Sequence, residues 1–346
     1  MNPFAYAFAS DNTAGATPEA LTALCEANSA AHVGSYGADA ITQAAEVAIQ
    51  HWFEAPDAVV FFVFGGTAAN ALAISALRRP YESVFCTEQA HIEKDESAAP
   101  EFFAQGLKLH LCSDVRGDKL DPDKMLQILR GNRGMHSPQA KIISLTQSTE
   151  FGTLYDANES AAIATFAREN GLSIHMDGAR FSNALATSGL SPAQLSWQRG
   201  VDVLSFGGSK NGVMSSEAIV FFKPALAEGF FNRRKQGGQL ASKMRFLSAP
   251  WAGALPHFVS RATHANAAAS QLARELTNMD LKLAFPVQAN GVFVHLAANV
   301  VEYLQSRDWH FYLFLGADIY RFMCAWSTTQ DAIEALVADL RKALSR

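Results

Sequence analysis

An unbroken apolar run, Val59–Phe64, which passes directly into a Gly-Gly-Thr turn, constrains the fold of this chain more than any other segment. A strand that is apolar at every position is typical of a sheet covered on both faces. After the turn, an alanine-rich helix is predicted to extend to about Arg79. Because free N–H groups and the helix dipole attract anions, we predict a phosphate site at Gly66 and Thr67. A tight strand-to-helix turn capped by the threonine is the alternative.

Short apolar segments recur downstream and alternate with helical stretches. We predict strands at 83–86, 107–112, 141–146, 173–176 and 203–206, and helices such as Pro122–Arg130 and Ser160–Asn170 between them. This alternation predicts an α/β fold with a mostly parallel sheet and helices on both faces. Ligands of such sheets gather at the carboxyl ends of the strands. Four candidate site residues lie at predicted strand ends: Gly66, His91, Asp177 and Lys210.

The pattern changes after residue 250. There the chain has a long alanine-rich helix, two apolar segments and a final amphipathic helix, at Val259–Asn278, Gly291–His295, Arg321–Trp326 and from Thr329 onward. A chain of 346 residues is long enough for two domains. We therefore predict a large domain at 1–250, including the N-terminal segment, and a smaller α/β domain at 251–346.

Lys210 and Asp177 suggest a particular chemistry. Lys210 follows the predicted strand Val203–Phe206 and two glycines, and a lysine in apolar surroundings can act as a nucleophilic amine. Pyridoxal phosphate (PLP) enzymes use such a lysine to hold their cofactor, and a carboxylate to keep its ring nitrogen protonated. Asp177 ends another strand, 33 positions upstream. A loop lysine and an Asp-Gly turn are the alternatives, but the two segments together favour a PLP site.

The composition excludes several classes of protein. Apolar residues make up 49% of the chain and charged residues 18%, as in a well-packed enzyme. The net charge is −5 and no Lys/Arg run stands out, so nucleic acid is not an expected partner. No apolar stretch approaches the roughly 18 residues of a membrane span, and no secretory signal is recognisable, so we expect no membrane association and a cytoplasmic location. The cysteines show no zinc-binding spacing, and no metal site is predicted: Cys25, Cys86, Cys112 and Cys324.

With these segments in place, the sequence closely resembles the threonine aldolases of the Pseudomonas kind. They belong to the β-eliminating-lyase and threonine-aldolase group of fold-type I, aspartate aminotransferase-like PLP enzymes. The resemblance covers essentially the whole chain. It is carried by Ser10-Asp11-Asn12, Tyr36-Gly37, Gly66–Asn70, His91, His175–Arg180, Phe206–Gly212, Gln239–Trp251 and Arg321-Phe322-Met323.

The resemblance implies how the cofactor is held. Lys210 would carry it covalently, Asp177 would pair with the pyridine nitrogen, and His91 would stack on the ring. From residue type alone, His91 could equally be a polar loop histidine. The other cofactor-binding residues implied are Gly66, Thr67, Arg180 and Arg234 or Lys235, the last pair from a second subunit.

The resemblance also implies how an amino-acid substrate binds. Ser10, Arg180 and Arg321 would hold its carboxylate, since a guanidinium can bind a carboxylate through two hydrogen bonds. A surface strand arginine is the alternative for Arg321. Tyr36 would come from the neighbouring subunit, which implies a homodimer or homotetramer with shared active sites.

The implied reaction is cleavage of L-threonine and L-allo-threonine to glycine and acetaldehyde, with other β-hydroxy-α-amino acids such as phenylserine as further substrates. Another β-eliminating lyase, an aminotransferase, or a silent PLP-fold binding protein are the alternatives. One departure from the family concerns a second histidine, which many threonine aldolases have after the strand predicted here at 141–146. This chain has Thr149 and Glu150 in that region and no histidine, so we predict that His91 alone is the base for the substrate hydroxyl.

Overall fold

The computed structural model describes residues 2–29, 31–77, 79–116 and 118–345. Within these ranges the strands are β1 (Val59–Val63), β2 (Glu82–Cys86), β3 (Lys108–Leu111), β4 (Gln139–Thr146), β5 (Ser173–Gly178), β6 (Val203–Phe206), β7 (Glu217–Phe221), β8 (Gly291–His295), β9 (Tyr312–Leu315) and β10 (Ile319–Met323). The α-helices are α1 (Pro18–Ser29), α2 (Ala40–Trp52), α3 (Gly66–Ala76), α4 (His91–Lys94), α5 (Ala99–Phe103), α6 (Pro122–Arg130), α7 (Ala157–Asn170), α8 (Phe181–Ser188), α9 (Pro192–Leu195), α10 (Phe230–Gln236), α11 (Arg245–Ala254), α12 (Phe258–Asn278), α13 (Ala298–Ser306) and α14 (Gln330–Leu344).

The larger sheet confirms the predicted α/β fold. Its strand order is β1-β7-β6-β5-β4-β2-β3. The pairs β3/β2, β2/β4, β4/β5 and β5/β6 are parallel, and β7 is antiparallel to both β6 and β1. The antiparallel strand follows from the short connection between β6 and β7, which has no room for a crossover helix.

The apolar run that begins at Val59 is a strand, but it is not covered along its whole length. Phe62 and Val63 are buried, whereas Phe64 lies just beyond β1 with 65% of its surface exposed. Phe64 is exposed because β1 lies at the edge of the sheet. The fully buried strands are instead β6 and β7, in the interior of the same sheet.

Local sequence signals fix both ends of α7, the helix before β5, and β5 carries Asp177. The Asp156 carboxylate caps α7 by accepting the Glu159 N–H at 2.8 Å, and the Glu159 side chain accepts the Asp156 N–H in return. At the other end, Gly171 has a φ of 62°, a left-handed conformation that suits glycine. The chain then enters β5 two residues later.

The second sheet is antiparallel, in the order β8-β10-β9. Residues of α12, α13 and α14 form one apolar core with it, which Phe8 of the N-terminal segment joins by packing against Trp309 and Phe322. The predicted division into 1–250 and 251–346 stays a prediction; that point of the chain lies inside α11. No helix in the described ranges is long and apolar enough to cross a membrane.

Candidate active site

A cavity of about 350 Å³ opens at the carboxyl ends of β5 and β6 and the N-terminus of α3. Five residues predicted from the sequence line it together: Gly66, Thr67, His91, Asp177 and Lys210. The ends of the strands therefore bring these five residues together in one cavity. Their predicted roles stay predictions.

Asp177 lies at the end of β5 and is buried. One of its oxygens, Oδ1, accepts the Ala179 N–H at 3.0 Å, and Oδ2 accepts the Asn70 side-chain amide at 2.8 Å. Burial alone would raise the pKa of Asp177, but the charge of His91, the Ala179 N–H and the charge of Lys210 together hold it below its usual value. The group is therefore a carboxylate at neutral pH.

The same amide of Asn70 also donates to Glu96 Oε1 at 2.8 Å. That oxygen is 2.8 Å from Nδ1 of His91. The hydrogen bond to Glu96 raises the pKa of His91, whereas burial raises that of Glu96 itself. Because a carboxylate can only accept, Nδ1 carries a hydrogen and Nε2 of the neutral imidazole is left as the acceptor. A continuous chain of hydrogen bonds thus joins Asp177 to His91.

His175 lies two residues before Asp177 in β5 and is fully buried. Its ring nitrogens contact the hydroxyls of Ser144 at 3.0 Å and Ser205 at 2.9 Å. Burial lowers the pKa of His175 to about 4. It is therefore neutral at pH 7 and holds neighbouring strands together through hydrogen bonds.

Lys210 lies in the turn that follows β6. Among the residues that the structure describes, none hydrogen-bonds to its amine, while the charges of Asp11 and Asp177 act on it from the cavity walls. The glycines before it have no room for a side chain. A Cβ on Gly207 would lie 2.3 Å from the Ala179 carbonyl oxygen, and one on Gly208 would lie 2.4 Å from that of Ser216.

Arg321 lies in β10 and lines a second cavity of about 550 Å³. Asp95 and Glu150 line both cavities, so the two are neighbours. The Nε of Arg321 is buried and has no hydrogen-bond partner within the described part of the chain. Burial and the charge of Arg180 lower the pKa of Arg321. A buried cation with an unused donor is suited to binding a carboxylate.

Besides Arg321, four predicted residues do not line the first cavity: Arg180, Tyr36, Arg234 and Ser10. Arg180 is paired with the Asp11 carboxylate. Tyr36 has 43% of its surface exposed, and its ring is 4.7 Å from the Lys235 amine. Arg234 is buried against the Phe61 ring, and its Nη1 donates to the Phe62 carbonyl at 3.5 Å. Burial lowers the pKa of Arg234 to about 10. Ser10 caps a short 3₁₀ turn by accepting the Asn12 N–H at 3.2 Å.

The cavity fits PLP. The first turn of α3 presents free N–H groups to it, and a Cβ on Gly65 or Gly66 would meet no atom within 4 Å, so the space before the helix is open to a phosphate. The amine of Lys210 and the carboxylate of Asp177 share that cavity. These are the groups needed to hold an aldehyde cofactor and its ring nitrogen.

The fold and this set of residues define a pyridoxal-phosphate-dependent enzyme of fold type I, the aspartate aminotransferase-like class, as the sequence predicted. A model of the β-eliminating lyase family matches residues 7–299, and the chain belongs to that family.

Similar proteins carry a more specific name. A low specificity L-threonine aldolase from Pseudomonas aeruginosa is 49% identical over 337 residues, 96% of each chain. Another from a Pseudomonas species is 46% identical over 341 residues, 98% of each chain. A solved threonine aldolase from Leishmania major superposes with a TM-score of 0.90 at 28% identity, over 97% of this chain and 99% of that one.

Proposed function

We propose that this enzyme cleaves L-threonine and L-allo-threonine to glycine and acetaldehyde, and accepts other β-hydroxy-α-amino acids such as phenylserine. The observation that carries the proposal is the placement of the Lys210 amine, the Asp177 carboxylate and the His91 ring around one cavity. The near-full-length relatives named as threonine aldolases support the same reaction.

In this proposal each side chain has a separate task. PLP, when bound, supplies an electron sink for the charge left on Cα as the Cα–Cβ bond breaks. Asp177 keeps a negative charge beside the ring nitrogen. His91 accepts the β-hydroxyl proton at Nε2, because Glu96 holds Nδ1 in its protonated form. Arg321 binds the substrate carboxylate from the neighbouring cavity.

Product analysis tests this reaction. Purified protein supplied with PLP and L-threonine is expected to yield glycine and acetaldehyde in equal amounts. A 2-keto acid as the main product would point to β-elimination or transamination instead. Absence of any product, with cofactor bound, would point to a silent binding protein. L-allo-threonine and phenylserine assayed in the same way define the substrate range.

We further propose that active sites are shared in a homodimer or homotetramer. Arg234 and Tyr36 do not line the cavity of their own chain, although the sequence predicts that Arg234 binds the cofactor and Tyr36 the substrate. The side chains of Phe64 and Phe231 are exposed, as expected of residues that a second copy of the chain covers. Light scattering gives the subunit number. Mixing an Arg234→Ala variant with a Lys210→Ala variant is expected to restore part of the activity only if sites are shared.

A cytoplasmic location is also proposed. All four cysteines are free, as expected in a reducing compartment: Cys25, Cys86, Cys112 and Cys324. Cell fractionation with an antibody against the protein tests this.

A further inference from the structure

Glu217, the first residue of β7, is a buried carboxyl group that the sequence analysis did not assign to any role. It lines the same cavity as Lys210 and is only 8% exposed. Its Oε2 accepts the Gly208 N–H at 2.5 Å, and Ser209 also favours its ionised form. A carboxyl group is rarely buried in a strand without a specific partner, and here the partner lies in the turn that carries Lys210.

The backbone of this turn is confined on three sides. The Ala179 carbonyl lies against Gly207, while the Ser216 carbonyl and the Trp251 ring lie against Gly208. The Gly207 N–H donates to the Gly178 carbonyl at 3.0 Å, whereas the Gly208 N–H donates to Glu217. Glu217 therefore orients the Gly208 peptide, close to Lys210 in the turn.

Glu217 also acts on Lys210 through charge. The pKa of Glu217 lies above its usual value because burial outweighs the Gly208 N–H, Ser209 and the charge of Lys210, each of which favours the ionised form. The other carboxylates that act on Lys210 are Asp11 and Asp177. Each has a partner elsewhere: Arg180 for Asp11, and Asn70 and Ala179 for Asp177. Among these three, Glu217 alone is hydrogen-bonded to the turn that carries the lysine.

We infer that Glu217 is a positioning residue for Lys210: it orients the Gly208 peptide and, in its ionised form, places a negative charge near the lysine nitrogen. The inference rests on the proposed role of Lys210 in holding the cofactor. Its consequence is that Glu217 sets both how tightly the cofactor is held and the pH at which the lysine-bound cofactor loses its proton.

Two substitutions separate orientation from charge. Glu217→Gln keeps an oxygen acceptor for the Gly208 N–H but removes the charge, and Glu217→Ala removes both. An adjacent opposite charge shifts a pKa by about 1 unit or more. The spectral transition of the bound cofactor with pH is therefore expected about 1 unit lower in both variants. Cofactor affinity is expected to fall at least about tenfold in Glu217→Ala and much less in Glu217→Gln, a partial rescue by the shape-conserving variant.

Asp202→Asn provides a matched control. Asp202 is also a buried carboxyl group beside β6; it accepts the Ile174 N–H at 2.9 Å and pairs with Lys223, away from the cavity. The Asp202→Asn substitution is expected to lower thermal stability without moving the pH of the cofactor's spectral transition. If the Glu217 variants match this control in both spectrum and cofactor affinity, the inference is overturned. Because Glu217→Gln preserves the hydrogen-bond geometry, it serves as the test even where Glu217→Ala does not fold.

A comparison of wild-type protein with Lys210→Ala distinguishes a failure of this inference from a failure of the proposed role of the lysine. If Lys210→Ala keeps the visible absorbance of covalently held cofactor, the role of Lys210 fails and the inference fails with it. If Lys210→Ala loses that absorbance while both Glu217 variants keep a wild-type transition, only the role of Glu217 is refuted.

Discussion

The guanidinium of Arg180 donates two hydrogen bonds to the carboxylate of Asp11, from Nε to Oδ2 at 2.7 Å and from Nη2 to Oδ1 at 2.9 Å. The Asn290 amide donates to the same carboxylate at 3.0 Å and to the Cys324 carbonyl at 2.7 Å. This cluster links the N-terminal segment, the end of β5 and the segment after β10. It also occupies two donors of Arg180, which leaves Arg321 as the less committed of the two arginines.

Asp11→Ala is expected to lower the free energy of unfolding by about 3–5 kcal/mol, the usual cost of leaving a buried charge unpaired. Burial alone would raise the pKa of Asp11, but the charge and hydrogen bonds of Arg180 hold it well below the usual value for an aspartate. The contribution is therefore fully present above about pH 4 and is lost as pH falls toward the lowered folded pKa. Urea unfolding of both proteins at pH 7 and near pH 3 measures this. An equal difference at the two pH values would contradict it.

Arg321→Leu is expected to raise KM for L-threonine strongly, with a smaller change in kcat. The substrate carboxylate would lose a buried, charge-assisted partner, which is worth roughly 2–5 kcal/mol. Steady-state kinetics on L-threonine measure the change. An unchanged KM would move the carboxylate site elsewhere, with Arg180 as the next candidate.

Lys210→Ala is expected to lose covalently held cofactor and nearly all turnover. No other lysine lines the cavity within the described part of the chain. The visible spectrum of the purified protein and the rate of glycine formation measure the two effects. Wild-type rates together with a retained spectrum would show that another group holds the cofactor.

Asp177→Asn is expected to fold and to retain cofactor while activity falls by several orders of magnitude, because the ring nitrogen loses its negatively charged partner. The amide is nearly the same size as the carboxyl group, so the packing can remain, but its nitrogen cannot accept a hydrogen bond and one of the contacts from Asn70 and Ala179 is lost. Comparison of kcat with the cofactor spectrum separates the two effects. A near-normal kcat would remove Asp177 from this role.

Much of the fold was predictable because strand–helix alternation is visible in apolar runs. The bounds of β6 and β8 match the prediction, since glycines or polar residues mark both ends. The direction of β7 was not predictable from periodicity, which is the same in parallel and antiparallel strands. β9 was missed although Tyr312–Leu315 is apolar throughout, so the sequence did carry a strand signal there.

The site was predictable only in part, and for a physical reason. Asp177 and Lys210 follow strands directly, so the sheet itself brings them together. Asn70 and Glu96 became visible only through contacts between residues far apart in the chain: Asn70 lies 107 positions before Asp177 and 26 before Glu96. Their residue types carry no signal of such contacts. Glu217 was likewise hidden, because it is the first residue of a strand whose other positions are all apolar.

The last prediction concerns the base for the substrate hydroxyl. His91→Asn is expected to lower kcat far more than Glu150→Gln, while the spectrum of bound cofactor is retained. The reason is that Glu96 orients the His91 ring from behind at 2.8 Å and leaves Nε2 as the acceptor, with 32% of the side chain exposed at the cavity.

Glu150 is the natural comparison for this prediction, because it lines both cavities and its charge acts on His91, Arg180 and Arg321. A carboxylate in that position can stabilise charge without accepting the proton. Steady-state kinetics of both variants on L-threonine and L-allo-threonine make the comparison. A single base should distinguish poorly between the two configurations at Cβ, so the loss in His91→Asn is expected to be similar for both substrates. A larger loss in Glu150→Gln would assign the base to the carboxylate and refute the prediction.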